Sequence, residues 1–187
     1  KELGLYLATN IGKIFSYATL QKVTGIKSLS SIKEYLEYFK QSYIYYYLPK
    51  FDYSVKKQIM NPKKVYAIDP GFVNRLGFRF SENRGRLLEN VVFNELLRRG
   101  KEVYYHSGKY ECDFVLKAGT EVVGLIQVTD QLNHENMARE IHGLKEAMQL
   151  YKLAAGLLLV NDPVDGSLEI DNSVTVQSIA QWLLAKE

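Results

Sequence analysis

Gly85–Gly100 reads GRLLENVVFNELLRRG, Glu111–Lys117 reads ECDFVLK and Gly124–Thr129 reads GLIQVT. The first stretch repeats its apolar residues at spacings of three and four, which predicts a helix from Arg84 to Arg99 closed by Gly100. Its polar wedge is Arg86, Asn90, Asn94 and Arg98, so Glu89 and Glu95 fall within the arc of Leu87, Leu88, Val91, Val92 and Leu96. Carboxylates on an apolar arc must be paired, protonated or bound to metal, because a bare buried charge is costly. Salt bridges to Arg84, Arg86 or Arg99 are the structural alternative. The other two stretches read as strands, one carrying Asp113 and the next carrying Gln127.

Working outward, Glu102–His106 predicts a strand before a turn at Ser107–Gly108, and Ala118–Gly119 separates the Asp113 strand from a longer apolar strand, Glu121–Thr129. Met137, Ile141, Leu144, Met148 and Tyr151 form one helical stripe. Ala154–Val160 suits a central buried strand. Val174 and Val176 suggest a last strand before a terminal helix over Ile179–Leu184. Helix, three strands, helix, strand is an α/β layout with a mixed sheet flanked by helices.

The first 70 residues differ in composition. They hold eleven lysines, no arginine and five acids, and ten of the fourteen tyrosines. The rest of the chain holds thirteen basic and sixteen acidic residues. This asymmetry predicts two domains, residues 1–70 and 71–187, with different partners. Glu2–Ala8 and Lys13–Val23 are expected helices. Thr24–Gly25–Ile26 is a turn, and Ser31 with Glu34 fits a capping box ahead of a helix bearing Ile32, Tyr35, Leu36, Phe39 and Tyr43. Strands are expected over Tyr43–Leu48, Phe51–Val55 and Lys64–Ile68, with KKQIMNPKK as a basic loop between the last two. Asp69–Pro70–Gly71 reads as a turn and Phe72–Phe80 as a connector. Helix, turn, capped helix and basic-tipped hairpin is the pattern of a winged helix-turn-helix. On DNA, Ser30, Ser31 and Lys33 would approach the groove, and Lys56, Lys57, Lys63 and Lys64 would contact phosphates. A solvated lysine-rich surface, or a protein-binding module, is the alternative. No arginine is available there for a bidentate contact to guanine.

Bulk properties exclude several classes. The longest apolar run, Leu153–Val160, is too short to span a bilayer. One cysteine, Cys112, leaves no internal disulfide and no Cys-rich zinc site. No secretory leader is recognised, which points to a cytoplasmic protein. The opening KELGLYLATNIG begins in mid-pattern, so a longer polypeptide is expected. His106, His134 and His142 share no metal-ligand spacing, and His134 and His142 fit surface roles. No P-loop or dinucleotide fingerprint occurs, so ATP binding is not expected within this chain.

The acids raise one catalytic reading. Glu89, Asp113 and Gln127, on a helix and two successive strands, follow the order in which PD-(D/E)xK nucleases collect ligands for Mg2+ or Mn2+. The lysine such a site uses to steady water and phosphate falls at Thr129, which cannot do this. Lys145 on the next helix is the candidate substitute.

KKVYAIDPGFVNRLGF (63–78), the 85–105 stretch, ECDFVLK and LIQVT together resemble the C-terminal region of bacterial and archaeal AAA+ ATPases that carry a domain of unknown function behind the ATPase module. The resemblance runs from near residue 10 to QWLL at Gln181–Leu184. It implies an upstream ATPase module holding the ATP site, a winged helix, and a restriction-endonuclease-like domain. It makes that module a partner in the same polypeptide; a homo-oligomer stays open, and no membrane partner is expected from the short apolar run. The resulting expectation is a DNA-interacting accessory region with a degenerate nuclease-like site. A metal-dependent endonuclease and a protein-interaction module are the alternatives.

Overall fold

The computed structural model describes residues 1–76, 84–162 and 168–185, a mixed α+β chain of eight helices and eight strands among those residues. It divides into two compact units, Lys1–Asn90 and Val91–Glu187. The division lies later than the compositional break at residue 70. The reason is local: Val73 joins the first unit's core, and Asn90 clamps Ala67 through both its amide groups.

The first unit runs α1 (Glu2–Thr9), β1 (Ile14–Phe15), α2 (Tyr17–Thr24), α3 (Leu29–Gln41), β2 (Tyr45–Pro49), α4 (Val55–Met60), β3 (Lys63–Ala67) and α5 (Pro70–Leu76). Its antiparallel sheet has the order β1-β3-β2. Leu3, Leu7, Leu20, Ile32, Leu36 and Val65 fill the core. The helix expected over Lys13–Val23 is cut by β1, because Ile14 and Phe15 pair with Lys64 and Lys63. Ser16 then caps α2 by accepting the Thr19 N–H at 3.0 Å, and Gly25 ends it in the left-handed region at φ 69°. The cap of α3 is Ser28, which accepts the Ser31 N–H, while Glu34 accepts the Tyr38 hydroxyl instead of closing a box with Ser31. Two further expectations are corrected. No strand forms over Phe51–Val55, and the basic loop 56–64 begins as helix α4. Asp69 accepts the Gly71 N–H and starts helix α5 where a connector was expected; the rest of that expected connector, 77–80, lies outside the described residues.

Helix α6 (Arg84–Arg98) leads into the second unit, which holds β4 (Glu102–Ser107), β5 (Glu111–Ala118), β6 (Glu121–Thr129), α7 (Met137–Tyr151), β7 (Gly156–Val160), β8 (Val174–Ser178) and α8 (Ile179–Leu184). The sheet order is β4-β5-β6-β7-β8, antiparallel through β6 and parallel from β6 to β8. Strand β7 lies inside the sheet, between β6 and β8, rather than at its centre, and this interior place suits its apolar run. Side chains alternate between faces along β5. Phe114 stacks on Phe93 of α6 at 6.3 Å, so the opposite face, with Asp113, is left to α7. No helix among the described residues is long and apolar enough to cross a membrane.

Glu95, the second acid on the apolar arc, is paired. Its carboxylate receives Arg98 Nε and Arg99 Nε, each at 2.6 Å, and Arg99 continues to the Trp182 carbonyl and ring. The Arg98 and Arg99 hydrogen bonds, outweighing partial desolvation, hold the Glu95 carboxyl down to about 2. A depressed folded value contributes stability that is present above the unfolded carboxylate value and is lost as pH falls toward 2. Thermal unfolding followed from pH 5 to pH 2 is therefore expected to lose less stability in Glu95→Gln than in the parent. Parallel pH curves for the two proteins would contradict this pairing.

Candidate functional site

The β5–β6 register pairs Phe114 with Ile126, which sets Asp113 opposite Gln127. Both point to the face crossed by α7. The Gln127 amide oxygen accepts the Asp113 N–H at 3.1 Å, and Asp113 Oδ2 accepts the Val128 N–H at 3.0 Å. On the far side, Gln127 Nε2 donates to Glu140 Oε2 of α7 at 2.7 Å. Arg139 completes the chain, donating from Nε and Nη2 to Glu140 Oε1 at 3.1 and 2.6 Å. Asp113, Gln127 and Glu140 are all buried, whereas the Arg139 side chain reaches solvent. The hydrogen bond to Glu140 and that residue's charge raise the Arg139 guanidinium above its ordinary value; partial burial opposes this and the Asp113 charge adds to it. Thr129, also buried, donates to the Gln131 carbonyl.

A divalent-metal centre needs several oxygens free to converge. Here the Gln127 oxygen is taken by a backbone N–H, and its NH2 group points at Glu140, whose other oxygen holds Arg139. The Glu140 carboxylate meets the Gln127 amide donor on one oxygen and the Arg139 guanidinium on the other, while the Asp113 carboxylate accepts the Val128 N–H. That set does not fit a two-metal centre. Among the described residues no three His, Cys, Asp or Glu side chains are grouped to hold a metal ion.

The other expected residues are placed as follows. Glu89 is engaged within the first unit, accepting Lys64 Nζ at 3.0 Å and the Tyr66 hydroxyl at 2.6 Å. Lys145 donates to Asp171 at 2.7 Å. Ser30 and Lys33 are exposed at the start of α3, Ser31 is half-buried there, and Lys33 stands 5.3 Å from the Tyr17 ring centre. Lys56 and Lys57 are exposed, with Lys57 3.6 Å from Asp52. The two remaining lysines of the expected phosphate-contacting set turn inward. Lys64 is 1% exposed on Glu89, and Lys63 Nζ donates to the carbonyls of Gln58, Ile59 and Asn61. Lys63 spends its three N–H donors on internal carbonyls, and Lys64 is too buried to reach a phosphate.

Sequence reading missed Arg139 and Glu140. A signal existed: Glu140 sits three residues after Met137 and four before Leu144, inside the apolar stripe, where a carboxylate needs a partner. His106 also differs from its neighbours in type. His134 and His142 are exposed, but His106 is buried, 2.9 Å from the Tyr151 hydroxyl and 3.1 Å from Glu146 Oε1.

Comparison with known proteins agrees on two segments. Residues 1–83 match the family described as Domain of unknown function (DUF8612), and residues 84–182 match Domain of unknown function (DUF4143). An uncharacterized protein of Methanocaldococcus jannaschii is 40% identical over 153 residues, covering 79% of this chain and 33% of the relative. An uncharacterized protein of Haemophilus influenzae is 28% identical over 191 residues, covering 98% of this chain and 45% of the relative. The chain thus spans a third to just under half the length of these curated relatives. No solved structure matches it significantly. Because the second match takes in more than half of its residues, the chain belongs to the DUF4143 family.

Proposed function

We propose that the chain is the C-terminal accessory region of an AAA+ ATPase, a winged helix followed by a PD-(D/E)xK-like domain that engages DNA without cleaving it. The observation that carries this reading is the closed Asp113–Gln127–Glu140–Arg139 chain of hydrogen bonds, which occupies the strand pair where a nuclease would gather its metal ligands. Two topologies support the architecture. The β1-β3-β2 sheet follows a helix-turn-helix, and the β4-β5-β6 meander is followed by a helical crossover to parallel β7. DNA contact in this reading rests on Ser30 and Lys33 at the exposed start of α3. ATP binding belongs to the upstream module.

The test pairs two assays on the parent, Asp113→Ala and Lys33→Glu. Plasmid nicking with magnesium or manganese is expected to stay at the Asp113→Ala background. Duplex binding is expected to weaken steeply with salt and to fall in Lys33→Glu. Nicking that requires metal and disappears in Asp113→Ala would establish the endonuclease instead. Absence of salt-dependent duplex binding would leave the protein-interaction reading.

A further inference from the structure

Helix α4 is unusual in having no buried residue. An isolated helix of six residues does not hold together in water, and helices this short normally persist by burying one face. Here Val55, Ile59 and Met60 are 68%, 62% and 72% exposed, and the preceding Tyr53 is exposed as well. Polar clamps hold the helix in place of packing. Asp52 Oδ1 accepts the Ser54 N–H at 2.9 Å, Gln58 Nε2 donates to the Asp52 carbonyl at 2.6 Å, and Lys63 Nζ draws in three carbonyls at the helix end. Burial lowers the Lys63 pKa, so this clamp works against a desolvation cost. The fold thus commits a half-buried ammonium to a helix whose apolar side chains are exposed. Single exposed apolar residues are ordinary, but a group of them on one element marks a contact surface.

Beside the end of α4 lies a cavity of about 250 Å³ lined by Phe15, Tyr17, Leu29, Met60 and Pro62 among others. It falls below the roughly 300–1,000 Å³ of small-molecule sites and suits one bulky side chain as an anchor. Lysines outnumber acids beside it: Lys56 and Lys57 stand exposed on α4 itself, with Asp52 3.6 Å from Lys57. We infer that α4 and this cavity dock an acidic peptide segment of a partner protein, with one large apolar side chain seated in the cavity and carboxylates facing Lys56 and Lys57. This is recognition by apolar anchor and charged rim. Phosphate backbones gain nothing from Val55, Ile59 and Met60, and two of the lysines that would have served them are turned inward. A bilayer surface would not fill a concave cavity. The inference does not depend on the state of the Asp113 cluster.

The test is selection of a phage-displayed random-peptide library on the 187-residue chain, with the enriched peptides then titrated by fluorescence anisotropy. Enrichment of sequences with Trp, Phe or Leu among Asp and Glu is expected. Their binding should drop about tenfold or more in Ile59→Asp, fall in Lys56→Glu with Lys57→Glu, and weaken with salt. All three positions are exposed, so unchanged unfolding midpoints serve as the control for folding. Lack of enrichment, or peptides bound equally by Ile59→Asp, would overturn the inference. So would anionic phosphatidylserine vesicles or duplex DNA that need Ile59 when acidic peptides do not.

Discussion

Replacing Glu89 by alanine is expected to destabilise the first unit by about 3–5 kcal/mol, because removing one partner of a buried pair strands the other. Lys64 is 1% exposed and its ammonium lies 3.0 Å from Glu89 Oε1, where the Tyr66 hydroxyl also donates at 2.6 Å. Alanine removes the acceptor of both donors and leaves Lys64 to give up its proton or draw in water. Glu89→Gln separates the contributions: it keeps an acceptor for Tyr66 but loses the charge, so its cost should be intermediate. Urea unfolding followed by circular dichroism reads both. The competing view, in which Glu89 is a metal ligand, makes the opposite forecast. Carboxylates gathered for catalysis repel one another, so their removal tends to stabilise. An unfolding midpoint that stays put or rises in Glu89→Ala would therefore sink the structural assignment.

Gly143→Ala is expected to be the most damaging small substitution in the second unit, at about 2–3 kcal/mol. On helix propensity alone the change would be favourable by about 1 kcal/mol. Packing reverses the sign. A Cβ at Gly143 would overlap the Glu111 carbonyl oxygen and press its carbonyl carbon at 3.0 Å. Those are backbone atoms of β5, which cannot swing aside as a side chain would. Either α7 lifts from the sheet or β5 bends, and both disturb Glu140, three residues earlier on α7, and its 2.7 Å bond to Gln127. Thermal unfolding should show the loss. A midpoint equal to or above the parent's would mean that α7 tolerates displacement, and the closed cluster would then not depend on this close approach.

The second unit was far more legible than the first. Strand β6 and helix α7 run over Glu121–Thr129 and Met137–Tyr151, where the apolar periods and flanking turn residues had set them. Gly100 closes α6 and Gly119 turns β5 into β6, both in the left-handed region that glycine enters freely. In the first unit local signals were ambiguous. Ser28, Ser30 and Ser31 are equivalent as caps by residue type, and only the chain's path selects Ser28. Strand β1 is two residues long and exists through its pairing with Lys63 and Lys64, some fifty positions away. Helix α4 offers only Val55 and Ile59 at helical spacing and buries neither, and its clamps involve Asp52 and Lys63 outside the helix.

The candidate site divides along the same line. Asp113 and Gln127 were visible because two adjacent strands of a hairpin bring them together whatever surrounds them. Their closure by Glu140 and Arg139 was not, since it requires α7 to cross that face in one register. The sequence by itself determined the order and kind of most elements and the strand pair that carries the acid and amide. Only the tertiary structure decided which partner each charge takes: Lys64 with Glu89, Lys145 with Asp171, Glu140 with Gln127 and Arg139. Periodicity is a property of neighbours along the chain, whereas the energy of a charge depends on its burial and on the groups facing it, and those are set by packing between distant segments.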